Sequence, residues 1–221
     1  NYTRDAQAAL QVVQAIQTQG GHAQAFQADV GVEADVHRLF HEVNQAMGLL
    51  HGLINNAGVA YRTVVEHFNE ADDWEQMDVN FRGPMELIRL VLPCMRRKRA
   101  GRIINVSSVS GKFPLPGGSA YAATKYAVTG FTQSLLGEVR DYGEVMGKAT
   151  SRGYRAAGAL RPIGLGYVQY VLLEGLATLA VAGDRPRVIV LGTMRELGAQ
   201  ADRAHREVAR EAVAALRGGE A

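Results

Sequence analysis

The sequence predicts an α/β fold in which a parallel sheet is covered by helices on both faces. Three observations predict it. Segments with helical apolar spacing alternate with short apolar segments along the chain. The short segments end in turn-forming residues, as in Asn55-Asn56-Ala57-Gly58. The chain has 221 residues, 47% hydrophobic and 21% charged, which suits a soluble protein with one sizeable core.

The elements follow in order. Residues 5–19 place Ala6, Ala9, Leu10, Val13 and Ile16 at helical spacing, and Gly20-Gly21 stops the pattern. His22 to Asp29 is short and alternating, through Ala23 and Ala25, and predicts a strand. Residues 33–47 return to the helical period with Val36, Leu39, Phe40, Val43 and Met47. Leu49 to Ile54 reads as a strand, followed by the Asn-Asn-Ala-Gly turn. A long helical segment covers 70–99, with Pro84 and Pro93 expected to interrupt it. Arg102 to Val106 is the next strand and 119–141 the next helix.

After Gly143 the texture changes. Residues 144–166 are rich in glycine and arginine without a period and read as linker or loop. The 167–221 tail reads as helix, strand (Arg187 to Leu191) and charged helix (195–216). It is expected either to stand apart from residues 1–143 or to complete the same sheet.

Composition excludes several functions. A formal charge of +2 argues against a dedicated nucleic-acid binder. The basic run Arg96-Arg97-Lys98-Arg99 ends an apolar helical segment, where cations suit the helix dipole. No run of about 18 apolar residues is present, so no membrane partner is expected. Cys94 stands alone, so a reducing, cytoplasmic setting is expected. Of the six histidines only His37 and His41 have helical ligand spacing, with no third ligand nearby in sequence, so no metal site is expected.

The most specific chemistry lies in Ser108, Tyr121 and Lys125. On a helix, Tyr121 and Lys125 are four residues apart and share a face. An ammonium near a phenol favours phenolate and lowers the tyrosine pKa from about 10, which suits proton transfer near neutral pH. Ser108 leaves the preceding strand, where its hydroxyl can hold a carbonyl or alcohol oxygen.

Over residues 1–143 these pieces resemble the classical short-chain dehydrogenase/reductase family. The resemblance is carried by Asp29-Val30, Asn56-Ala57-Gly58, Asn80 in Asp-Val-Asn, Ser108, and the Tyr121/Lys125 pair, in that order. It implies a Rossmann-like doubly wound sheet and an oxidoreductase moving a hydride between NAD(P) and a carbonyl or secondary alcohol. It implies that Tyr121 is the general acid/base, that Lys125 binds the nicotinamide ribose, and that Ser108 orients the substrate oxygen. Asn80 would hold a water linking Lys125 to solvent. Asp29 and Val30 would contact the adenine, and Asn56, Ala57 and Gly58 would line the cofactor cleft. Arg4 slightly favours NADP over NAD through its 2′-phosphate. A small-molecule substrate and a homo-oligomer built on helices 70–99 and 119–141 are further implications.

The family begins with a strand and glycine-rich turn that receive the pyrophosphate. This chain starts just after the family's second strand would end, so the sheet is expected to be incomplete at its N-terminus. The alternative expectation is accordingly an inactive short-chain dehydrogenase fragment without a working cofactor site. Residues 172–213, including Arg187-Val-Ile-Val-Leu-Gly192 and His205-Arg-Glu-Val208, resemble part of the C-terminal domain of Mur ligases. The chain has no Gly-Lys-Ser/Thr phosphate loop, so ligase activity is not expected. Strand 187–191, followed by Gly192 and Gly198, is a candidate to fill the vacant central place in the sheet.

Overall fold

The structure, a computed structural model, describes residues 1–139 and 188–191. Helix α1 (Ala6–Thr18) starts where the Asp5 side chain accepts the Ala8 N–H at 2.8 Å, satisfying one of the open donors of its first turn. Gly20 follows with φ 80°, the left-handed conformation that ends the helix cheaply. Helix α2 (Glu33–Met47) buries Val36, Leu39 and Val43, the predicted apolar stripe.

The segment between them corrects the sequence reading. Residues 22–29 form a single parallel bridge, Tyr2↔Gln27, in place of the predicted strand. Tyr2 donates to the Phe26 carbonyl at 3.0 Å and Ala28 donates to the Tyr2 carbonyl at 2.9 Å. A ladder needs a neighbour over several residues, and among the described residues only Tyr2 supplies one. Ala28 and Val30 nevertheless enter the core.

Strand β1 (Gly52–Asn55) is buried throughout, as expected for a parallel strand covered on both faces. It pairs in parallel with β2 (Arg102–Asn105), Asn55 opposite Asn105. On its other flank it pairs in parallel with β3 (Val188–Leu191), Asn55 opposite Leu191, giving the order β2-β1-β3. Among the described residues β3 is thus an outer strand, paired on one side only.

The long helical run is three pieces on one course. Helix α3 (Glu70–Met77) passes through a π-helical turn (Asp78–Arg82) into α4 (Gly83–Lys98). Asn69 caps α3, its side chain accepting from the N–H groups of Ala71 and Asp72. The prolines do not break the run. Pro84 falls in the first turn of α4, directly after the π turn, and Pro93 is carried inside the helix. Gly83 is required by close approach: a Cβ there would sit 2.1 Å from the Val30 carbonyl oxygen. Helix α5 (Ser119–Val139) ends the described stretch 1–139 and buries Ala122, Val128, Leu135 and Val139.

One core unites these elements. Val36, Leu39 and Val43 of α2 meet Leu53 of β1, Leu87, Ile88, Val91 and Met95 of α4, Ile103 of β2, and Leu135 of α5. No described helix is long and apolar enough to cross a membrane.

Candidate active site

The carboxyl ends of β1 and β2 point the same way, and the chain leaving each carries polar side chains to one edge of the sheet. In an open parallel sheet that edge is where ligands bind. Past β2, the Val106 N–H continues the pairing by donating to the Asn55 carbonyl at 3.0 Å. Ser107 then turns inward: its hydroxyl bonds the Lys125 carbonyl at 3.1 Å and the Thr129 hydroxyl at 3.0 Å. Ser108 is half-buried and its Oγ accepts the Ser110 N–H at 3.2 Å. The turn reaches Gly111, where a Cβ would lie 2.7 Å from Ser107 Oγ and 2.8 Å from the Lys125 carbonyl oxygen. Glycine there lets the serine loop lie against α5.

Tyr121 and Lys125 occupy adjacent turns of α5, as the spacing requires. Lys125 is only 2% exposed, and its Nζ lies 5.5 Å from the centroid of the Tyr121 ring. Nζ also approaches the Val106 carbonyl oxygen at 3.4 Å, which ties the ammonium to the loop carrying Ser108. Burying a cation beside a phenol is costly unless it is held by oxygens and π density.

Asn80 sits in the π turn, an irregularity often found at functional sites. Its Oδ1 accepts the Val59 N–H at 2.8 Å, and its Nδ2 donates to the Val59 carbonyl at 2.9 Å and to Thr124 Oγ1 at 3.1 Å. Thr124 in turn donates to the Tyr121 carbonyl at 2.8 Å. The carboxamide therefore fastens the loop after β1 to the helix bearing Tyr121.

Asn56 and Gly58 are buried and Ala57 is half-buried in that same loop. Asn55 Nδ2 donates to Asn105 Oδ1 at 2.8 Å, and Asn105 donates to Thr132 Oγ1 at 2.9 Å, a polar line joining β1, β2 and α5. The Oδ1 atoms of Asn55 and Asn56 are buried without a donor among the described residues. Asp29 and Val30 lie elsewhere, in the turn before α2. Asp29 Oδ1 accepts the Gly31 N–H and its own N–H donates to Asp35 Oδ2, each at 2.9 Å. The Asp29 N–H and the Arg38 guanidinium hold the Asp35 carboxyl below the usual carboxylate range.

Sequence reasoning missed Thr124, Asn105, Thr132 and Gln76, whose partners are remote along the chain. The signal available was a polar residue at an otherwise apolar position, as Asn105 ends an apolar strand. It also missed a neighbour of His37. His37 Nε2 meets Glu86 of α4 at 2.8 Å, and with Glu33 the three could converge on a cation. Each carboxylate already has an arginine, Glu33 with Arg82 and Glu86 with Arg89. The Arg89 hydrogen bond is the main cause that lowers the Glu86 pKa.

The profile described as short chain dehydrogenase matches residues 2–154. The chain belongs to the short-chain dehydrogenase family. Within that family it is 38% identical over 132 residues to an uncharacterised oxidoreductase of Staphylococcus saprophyticus, covering 58% of this chain and 53% of that protein. It is 35% identical over 143 residues to the 3-oxoacyl-(acyl-carrier-protein) reductase of Staphylococcus aureus, covering 65% and 58% respectively. A metagenomic short-chain oxidoreductase crystallised with NADP superposes with a TM-score of 0.61 at 30% identity, covering 64% of each chain. A gluconate 5-dehydrogenase from Burkholderia cenocepacia, in complex with NADP and tartrate, gives 0.59 at 29% identity, covering 64% of this chain and 56% of that one. This short-chain dehydrogenase spans a little over half the length of those two curated relatives. Its fold is accordingly a partial Rossmann-like α/β sheet. The stretch resembling Mur ligases lies outside the described residues apart from β3.

Proposed function

We propose that this chain transfers a hydride between NAD(P) and a carbonyl or secondary alcohol, with Tyr121 as general acid/base. The observation that carries this is the buried Lys125 ammonium 5.5 Å from the Tyr121 ring, at the sheet edge where Ser108 emerges. The residues present fit the nicotinamide-ribose end of the cofactor. Asn55 Oδ1 and Asn56 Oδ1 are buried acceptors with no donor among the described residues, and Lys125 Nζ is a buried donor 3.4 Å from the carbonyl of Val106, whose N–H bonds the Asn55 carbonyl. NAD(P), when bound, supplies or accepts the hydride.

The chain's own groups do the rest. Lys125 favours the phenolate of Tyr121 by its charge and holds ribose hydroxyls. Tyr121 gives a proton to the substrate oxygen in reduction and removes it in oxidation. Ser108 orients that oxygen. Asn80 positions Tyr121 through Thr124 and holds a water that links Lys125 to solvent. Asp29 and Val30 meet the adenine, while Asn56, Ala57 and Gly58 border the cleft. NADP is slightly preferred over NAD, supported by exposed Arg4 and by the NADP bound in two structural relatives. The substrate is a small molecule. A homo-oligomer through α3, α4 and α5 is supported by exposed Trp74, Met85, Tyr126 and Leu136, and the lone Cys94 suits a reducing cytoplasmic setting.

The test is titration with NADPH and NADH, following nicotinamide fluorescence and melting temperature together. Binding at one site should stabilise the fold by about 2.7 kcal/mol at a hundredfold excess over Kd. A saturable signal that weakens in Lys125→Ala supports the assignment. A cooperatively melting protein that responds to neither nucleotide refutes it.

A further inference from the structure

We propose that Gln76 is a positioning residue for Tyr121, acting through the 61–63 segment and the first turn of α5. This rests on Tyr121 being the acid/base group. Gln76 has no exposed surface, an uncommon place for a side chain with a donor and an acceptor to satisfy. Both ends are satisfied. Its Oε1 accepts the Tyr61 N–H at 3.0 Å, and its Nε2 donates to Asp73 Oδ1 at 3.0 Å. Asp73, 4% exposed, accepts the Asn69 N–H at 2.9 Å on its other oxygen, which fixes it to the cap of α3.

The chemistry sets the direction of this relay. An ionised Asp73 only accepts, so Gln76 must turn its amide nitrogen toward it and offer its oxygen to Tyr61. From Tyr61 the chain reaches Thr63, which forms a parallel bridge with Gly118. The Gly118 carbonyl accepts the Ala122 N–H at 2.8 Å, so the bridged residue opens the hydrogen-bond ladder of α5. Tyr121 stands in that opening turn.

The segment is therefore held at alternate residues: Val59 by Asn80, Tyr61 by Gln76, and Thr63 by Gly118. Asn80 reaches Tyr121 through Thr124, and Gln76 reaches it through Gly118. Two routes from one helical run thus fix the turn of α5 that carries Tyr121. Proton transfer is sensitive to such placement, since a displacement of about 1 Å can cost on the order of a hundredfold in rate.

Gln76→Glu keeps the acceptor for Tyr61 but removes the donor and sets a carboxylate against Asp73. The pair Asp73→Asn with Gln76→Glu restores one donor facing one acceptor and leaves an oxygen for the Asn69 N–H. The experiment uses the full chain in three forms: wild type, Q76E and D73N/Q76E. It measures backbone amide exchange and NADPH-dependent reduction of a panel of small ketones. Q76E should speed exchange at Tyr61 and Ala122, with Val43 and Leu53 unchanged. It should lower kcat by about ten- to a hundredfold while the KM for NADPH holds, and the double variant should recover both.

Unchanged exchange at Ala122 in Q76E overturns the proposal, as does a kcat loss that the double variant fails to restore. A wild-type chain that turns over no ketone overturns the acid/base role of Tyr121 instead. The exchange data then still report whether Gln76 holds the start of α5.

Discussion

Replacing Asn80 with alanine removes three hydrogen bonds at one stroke, at 2.8, 2.9 and 3.1 Å. Val59 is 2% exposed, so its N–H and carbonyl both lose the Asn80 partner in a place water reaches poorly. A buried polar group left unsatisfied costs about 1–3 kcal/mol. Thr124 keeps its bond to the Tyr121 carbonyl and adds little to the loss. Two orphaned groups, less some relief as the loop shifts toward water, give an expected destabilisation of about 2–4 kcal/mol. That is a large part of a typical total of about 5–15 kcal/mol. Thr124→Val removes the third bond and the Thr124 bond to the Tyr121 carbonyl, leaves both Val59 groups satisfied, and should cost less, about 1–2 kcal/mol. Urea unfolding followed by far-ultraviolet circular dichroism measures both, with the midpoint shifting at unchanged slope. A loss below about 1 kcal/mol for N80A, or equal losses for both variants, would refute the clasp on Val59 as a principal tie.

Other expectations are independent of it. Tyr121→Phe should lower ketone reduction by about 10²–10⁴-fold while nucleotide binding persists; unchanged turnover would exclude Tyr121 as the proton donor. Gly83→Ala forces a methyl to 2.1 Å from the Val30 carbonyl oxygen and should cost about 1–3 kcal/mol by thermal or urea melting. Gly137→Ala, where a Cβ meets nothing within 4 Å on α5, should instead stabilise by about 0.5–1 kcal/mol, and a loss there would show that this face is covered. Asp35 has its pKa lowered by the Asp29 N–H and Arg38, so its contribution is complete above the unfolded value of about 3.9 and is lost as pH falls through the native value. Asp35→Asn should therefore flatten the acid limb of the stability profile, and an unaltered acid limb would show that the bond to Asp29 does not persist in solution.

The sequence by itself determined the features that depend on near neighbours. Helices at 6–18, 33–47 and 119–139 follow from apolar spacing and, for the first, from the stop at Gly20, because helical hydrogen bonds close within four residues. Tyr121 and Lys125 come together for the same reason: helical spacing alone puts them on one face. Tertiary structure decided what each polar group spends its bonds on. Asn80 reaches Val59, Gln76 reaches Tyr61, Asn55 reaches Asn105, and His37 reaches Glu86, pairings that no local period encodes.

The same holds for strands, whose existence depends on a neighbour. Residues 22–29 have the alternation of a strand yet keep only the bridge to Tyr2, while Val188–Leu191 finds β1 across most of the chain. Strand pairing and buried hydrogen bonds are satisfied only when the core has closed, so their partners are set by packing. Spacing along the chain placed Tyr121 and Lys125 on one face of α5; packing placed the groups that hold that helix in position.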